Sequence, residues 1–345
     1  MIFLNAEIAK ELVRKNLLAL GQNEEGAKHV SESLTLTSLR GVDSHGLNLF
    51  PHYVRALKAK RIEANPNFKI DKTAASVIKF DADHAFGHYA GAVAMNEAIK
   101  LAKETGVGLV SVKNSTHFGA AAYFGLIAAQ QDFIGLAFTN ADALVKAHGA
   151  RDSFFGTNPI CFTAPLKNED PFCLDMATSR ISWNKVMLYQ KSGKALEEGW
   201  AFDAQGNPET DPNKAASLCP IGDYKGYGLG FLVEIVCGVL AGGPVARELL
   251  PMYKSAIEER RKISHFFAAI NIESFIKLDV FKERLQEMVD QLRQMPPISA
   301  DAPVMVAGDP EKKNLAQRSK EGIPMSEEIF AEFLKIDENF NKAKI

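Results

Sequence analysis

The sequence predicts a mixed α/β protein in which helices drawn from both chain ends flank a central sheet. Three observations carry that prediction. Roughly the first sixty residues show a helical period without a β-prone run. From Ser76 onward, short β-prone runs alternate with Ala-rich helical segments. Beyond Pro296-Pro297 the pattern becomes helical again. The terminal helices would then return to pack on the N-terminal ones.

In order along the chain, Asn5 is placed to cap a helix with Ile8, Leu12, Val13 and Leu17 on one face, and Gly21 ends it. Asn23 precedes a second helix carrying Ala27, Val30 and Leu34. A third carries Phe50, Val54 and Leu57, with Pro51 near its start, where a missing amide proton does little harm. Strands are expected at 77–80, 107–112, 134–139, 160–163, 172–176 and 266–272, and a short one at 304–306. Helices are expected at 91–103, 119–131 and 276–295, with a buried one at 227–240. The turn-forming residues Asp203, Gly206, Pro208, Asp211 and Pro212 mark 199–220 as a long loop. No internal repeat or low-complexity segment is visible.

At 345 residues the chain is long enough for about two domains. Apolar residues at 46% allow a sizeable core and exclude disorder as the main state. A net charge of -2 gives no field that would favour nucleic acid or an anionic membrane. Cys161, Cys173, Cys219 and Cys237 are too scattered for a disulfide framework, and none forms a Cys-x-x-Cys pair. The N-terminus lacks a basic region followed by an apolar core, and the apolar stretch 228–240 is short and interrupted by Glu234. A cytoplasmic, soluble protein is expected.

Two histidines stand out. His45 sits in Leu39-Arg40-Gly41-Val42-Asp43-Ser44-His45-Gly46, a polar break between helices, and could move a proton near neutral pH. A surface histidine beside a helix cap would give the same pattern. His117 lies in Asn114-Ser115-Thr116-His117-Phe118-Gly119, between an apolar strand and a helix, where loops present side chains to ligands. A turn satisfied by Asn114 and Ser115 reads equally well. Neither spacing nor a nearby cysteine supports a metal, and none is expected. Gly222-Asp223-Tyr224-Lys225-Gly226-Tyr227-Gly228-Leu229-Gly230 opens a helix with glycines and a lysine, a start suited to an anion or simply to close helix packing. It is not a dinucleotide fingerprint, because Phe231 stands where the third glycine belongs. No Walker loop, Gly-x-Ser-x-Gly elbow or kinase motif occurs.

Taken together, the ordered motifs resemble the type 2 malate/L-lactate dehydrogenase family. They are Gly41 to Gly46, Asn114 to Gly119, Gly156-Thr157-Asn158-Pro159, Leu174-Asp175-Met176-Ala177-Thr178-Ser179, Gly199-Trp200-Ala201-Phe202-Asp203, Thr210-Asp211-Pro212, Lys225-Gly226-Tyr227-Gly228 and Glu321-Gly322-Ile323-Pro324. The likeness runs over essentially the whole chain. It implies a non-Rossmann α/β (α+β) fold, with a helical domain from both termini (1–72 and 301–345) around a central nucleotide-binding sheet domain (73–300). It also implies a homodimer using NAD, with NADP possible, and a small 2-hydroxy or 2-oxo acid, malate/oxaloacetate ahead of ureidoglycolate or lactate.

By the same resemblance His45 and His117 are the proton-transfer groups. The substrate would meet Ser44, Tyr53, Arg55 and Lys146. The cofactor would lie along Asn158, Asp175, Met176, Ala177, Thr178, Lys225, Gly226, Gly308 and Asp309. One departure bears on the substrate: many members carry Arg three residues after the Gly of Ser-His-Gly, and this chain has Leu49. Carboxylate recognition then falls to Arg55, Lys146 or Arg180. A nucleotide-binding relative without turnover, or a metal-dependent hydrolase built on the two histidines and a carboxylate, remains an alternative reading.

Overall fold

The computed structural model describes residues 1–299 and 301–345. Its centre is a seven-stranded sheet in the order Lys69–Ala74, Val77–Asp81, Val107–Ser115, Ile263–Asn271, Phe133–Thr139, Ile160–Ala164, Phe172–Met176. Val77–Asp81 and Val107–Ser115 run parallel; the other neighbours are antiparallel. The late strand Ile263–Asn271 thus slots between two early ones. Its Phe267 is fully buried beneath helices Gly87–Thr105 and Ala122–Ala129. Gly108 permits this close stacking, because a Cβ there would lie 1.9 Å from the Ala98 carbonyl oxygen.

A second core joins the two chain ends. Strand Ile2–Leu4 pairs antiparallel with Ile323–Met325, and Leu17, Leu34, Phe50, Phe333 and Phe340 pack together beside it. The expected caps form: Asn5 Oδ1 accepts from Ile8 N–H at 3.1 Å, and Asn23 Oδ1 from Gly26 N–H at 2.8 Å.

The structure differs from expectation in several places, beginning with the strands Ile2–Leu4, Lys69–Ala74 and Ile323–Met325, which were not expected. The loop 199–220 contains Ala201–Phe202, Pro208–Glu209 and Ser217–Leu218, which join Val145–Lys146 and Ser153–Phe155 in a five-stranded sheet. Strands this short carry no period a sequence can show. Helix Trp183–Ser192, capped by Ser182, was not expected. The segment 304–306 is no strand, because its Val306 N–H is taken by the Asp309 carboxylate at 3.0 Å. Finally, the apolar helix Tyr224–Glu234, continued by a π-helical turn Ile235–Val239, is not buried in this chain. Phe231 is 50% exposed and Val239 61%.

Candidate active site

Helix Glu24–Leu39 ends at Arg40, and Gly41 at φ +87° turns the chain into the His45 loop. Arg318, from the C-terminal helix Asp309–Glu321, clamps that loop with a two-pronged pair to Asp43 at 2.6 and 3.0 Å. Gly46 lies against Ser38, so close that a Cβ would sit 2.1 Å from its Oγ. Between these two fixings, Ser44 Oγ and His45 Nδ1 share a 2.8 Å hydrogen bond.

His117 follows strand Val107–Ser115, after Asn114 at φ +53°. The segment is braced from below: His265 bridges Thr139 Oγ1 (2.7 Å) and Ser115 Oγ (2.8 Å), and its ring stacks on Phe118. Tyr53 reaches over from helix Phe50–Lys58, its hydroxyl 2.7 Å from His117 Nδ1. Burial holds the Tyr53 phenol well above its usual pKa, so the hydroxyl keeps its proton. The His45 and His117 rings stack with centroids 5.7 Å apart. Burial pushes His45 down to about 4, and burial followed by neighbouring charges holds His117 well below its ordinary value. Both rings are therefore neutral at pH 7, each with Nδ1 engaged and Nε2 available.

Two cavities meet at this point. A long one of about 670 Å3 runs from His45 past Asp175, Met176 and Ala177 to Gly308 and Glu311. A smaller one of about 240 Å3 holds His45, His117, Asp142, Trp183, Tyr253 and Lys254. They share His45, Thr157 and Ser182. In the long cavity Asp175 accepts from Ala122 N–H at 2.8 Å, and desolvation raises its pKa to about 6. A carboxylate acceptor, arginines at positions 40 and 180 and an apolar floor suit the sugars, phosphates and rings of a dinucleotide.

The structure gathers some of the expected residues and leaves others apart. Ser44, His45, Asp175, Met176, Ala177, Arg180 and Gly308 line the long cavity, and His117 the smaller one. Asn158 and Thr178 are buried beside it. Asn158 holds Glu234 (2.8 Å) and the Gly230 carbonyl (2.9 Å), and Thr178 Oγ1 donates to Thr157 O. The Asp309 carboxylate turns to Arg293. Lys225 is exposed at the start of its helix, and Gly226 is pressed on Ile221 O, where a Cβ would lie 1.6 Å away. Arg55 points outward near Glu332, and Lys146 Nζ is spent on Gly206 O at 2.8 Å, so neither reaches the histidines. Leu49 is packed in the helical core.

Sequence reasoning passed over Asp142 and Arg261. Asp142 lines the smaller pocket, accepts from Met252 N–H at 3.3 Å and forms an ion pair with the buried Arg261. These residues come from loops far apart in sequence, and no local motif marks them. Among the described residues no cluster of three or more His, Cys, Asp or Glu is placed to hold a metal ion.

A histidine pair at the junction of a long cavity and a smaller pocket suits proton transfer in an oxidoreductase. Comparison with known proteins agrees. The model for the malate/L-lactate dehydrogenase family matches residues 4–334, and the chain belongs to that family. It is 36% identical over 330 residues to a malate dehydrogenase of Pyrococcus abyssi, covering 93% of this chain and 90% of that protein. An L-sulfolactate dehydrogenase of Methanocaldococcus jannaschii is 34% identical, covering 97% and 96%. The crystal structure of malate dehydrogenase from Entamoeba histolytica superposes with a TM-score of 0.93 at 30% identity, covering 98% of each chain.

Proposed function

We propose that the enzyme interconverts a small 2-hydroxy acid and its 2-oxo acid, with malate/oxaloacetate the leading pair and NAD, ahead of NADP, as cofactor. The observation that carries this reading is the meeting of the two cavities at His45, beside His117. When bound in the long cavity, the nicotinamide supplies or accepts the hydride at the substrate carbon. His117 moves the proton through Nε2, with Tyr53 fixing its ring from the other side. His45, fixed by Ser44, shares the substrate oxygen. Neutral rings suit the oxidation direction, where a base is needed. In reduction, the arriving carboxylate raises the histidine pKa, so the ring can carry the proton that the new alkoxide takes.

A second reading, a ureidoglycolate-type acid, is favoured by the charge of the smaller pocket. Among the described residues, Lys254 is the one cation lining it, and Asp142, paired with Arg261, is its one carboxylate. An uncharged tail that donates hydrogen bonds meets that wall better than a second carboxylate does.

The division at 1–72, 73–300 and 301–345 is part of the same reading, supported by the shared core of the two ends. So is a homodimer closed over the apolar face of Phe231, Leu232, Ile235, Val239 and Leu240, which an isolated chain would leave in water. No helix among the described residues is long and apolar enough to cross a membrane, and all four cysteines are free and buried, which supports a reducing cytoplasm.

The test is NADH consumption by purified protein with oxaloacetate, pyruvate, sulfopyruvate and oxalurate, with NADPH in parallel. Turnover of oxaloacetate above the others supports the leading pair, and turnover of oxalurate above it supports the second reading. Silence across the panel would overturn both.

A further inference from the structure

Three arginines are almost wholly buried: Arg40, Arg61 and Arg261. Two of them are held by hydrogen bonds, although Arg61 Nε has no partner. Arg61 donates to the Met252 carbonyl at 3.1 Å, Ser255 Oγ at 2.9 Å and the Ala256 carbonyl at 2.5 Å. Arg261 donates to Leu250 O at 2.8 Å and to Asp142. Arg40 is the exception. It is 5% exposed and among the described residues its guanidinium makes no hydrogen bond and no ion pair. What solvent contact it keeps is with the long cavity, whose wall it forms.

A buried guanidinium without a partner is costly, and proteins keep such a group where a ligand supplies the counter-charge. The helix end gives only partial compensation, since the carbonyl terminus of Glu24–Leu39 favours a cation. Asp175 lines the same cavity and feels the Arg40 charge, which works to lower its pKa, but the two do not pair. A space that holds a carboxylate and a guanidinium apart suits a ligand with hydroxyls for the one and an anion for the other. Sugar phosphates have that composition.

We propose that Arg40 is a binding residue for a phosphate of the cofactor, its planar fork gripping two phosphate oxygens. The assignment rests on the long cavity being the cofactor site. It does not concern the substrate carboxylate, because Arg40 does not line the smaller pocket.

The test is calorimetric titration of the full-length protein and of Arg40→Gln and Arg40→Lys with NADH, NADPH and ADP-ribose, together with thermal melts of the free proteins. In Arg40→Gln the Kd for the phosphate-bearing ligands should rise ~10–100-fold, with a smaller rise in Arg40→Lys. The Tm of the free variant should stay level or increase, since an uncompensated charge has been removed. Parallel losses for NADH, NADPH and ADP-ribose place the contact at the pyrophosphate; a loss confined to NADPH places it at the 2'-phosphate. Unchanged Kd values, or a marked fall in Tm with binding intact, would overturn the proposal and make Arg40 structural. If Arg40→Gln does not fold, Arg40→Lys decides the matter by the same Kd comparison. Wild-type protein that binds none of the three ligands would instead refute the cofactor reading of the cavity, a result separate from insensitivity of the variants.

Discussion

Acid should unfold this protein through two histidines that take no direct part in the site. His88 and His265 have no exposed surface, and burial, the largest cause for each, pushes both down to about 3. In the unfolded chain they titrate near the ordinary value of about 6.5. Between those limits the unfolded chain binds protons that the native chain refuses, so stability falls as pH falls. Each histidine costs about 1.4 kcal/mol per pH unit. At pH 5 the pair removes about 4 kcal/mol, and His45 and His117, also held low by burial, add to the loss, against a total of about 5–15 kcal/mol for a typical domain. Asp175, raised to about 6, works the other way, gaining its proton in the native state first. It opens onto a cavity, so its effect is smaller. Urea unfolding at pH 8, 7, 6 and 5, followed by circular dichroism, would give the slope. His88→Leu, which also removes two buried ring nitrogens without partners, should lower it by one histidine's share, about 1.4 kcal/mol per pH unit. A stability constant from pH 7 to 5, or an unchanged slope in His88→Leu, would refute the argument.

Three further outcomes are expected. Tyr53→Phe deletes the hydroxyl that fixes His117, a bond of about 1–2 kcal/mol, so kcat should fall ~10-fold while the Kd for NADH measured by calorimetry stays the same; an unchanged kcat would remove Tyr53 from the machinery. Asp142→Asn takes the counter-charge from Arg261, and the KM for oxaloacetate should drop ~10-fold relative to that for pyruvate, at a stability cost of about 3 kcal/mol read from urea melts; equal KM changes for the two acids would show that Asp142 does not screen the second carboxylate. Val239→Asp places a charge in the exposed apolar helix face and should yield monomers in analytical ultracentrifugation, where persistence of the wild-type species would place the interface elsewhere.

The legible parts of the fold were those with a period or a cap. Asn5 and Asn23 announced their helices, and the strands around Val110, Ala137 and Cys161 lie within a residue or a few of where alternation put them. The two histidine loops could be found because each is a polar break between strongly patterned elements. What pairs His117 with Tyr53 is tertiary: the residues are far apart in sequence and meet only when helix Phe50–Lys58 crosses the end of the sheet. The placement of Arg55 and Lys146 could not be foreseen for the same reason, since a cation's role depends on what it faces. Arg40 stood directly before the first glycine of the His45 motif, and only its burial without a partner in the fold marks it out.

The ladder between Ile2–Leu4 and Ile323–Met325, and the Arg318–Asp43 clamp, have a consequence during synthesis. At ~5–20 residues per second, the first strand leaves the ribosome on the order of 20–60 s before its partner exists. The His45 loop spends that interval without its clamp, beside apolar helices that still lack the covering supplied by Phe333 and Phe340. The nascent chain therefore carries both histidines of the candidate site long before it can hold them in place. Its early helices are a natural client surface for a holding chaperone until the last segment arrives.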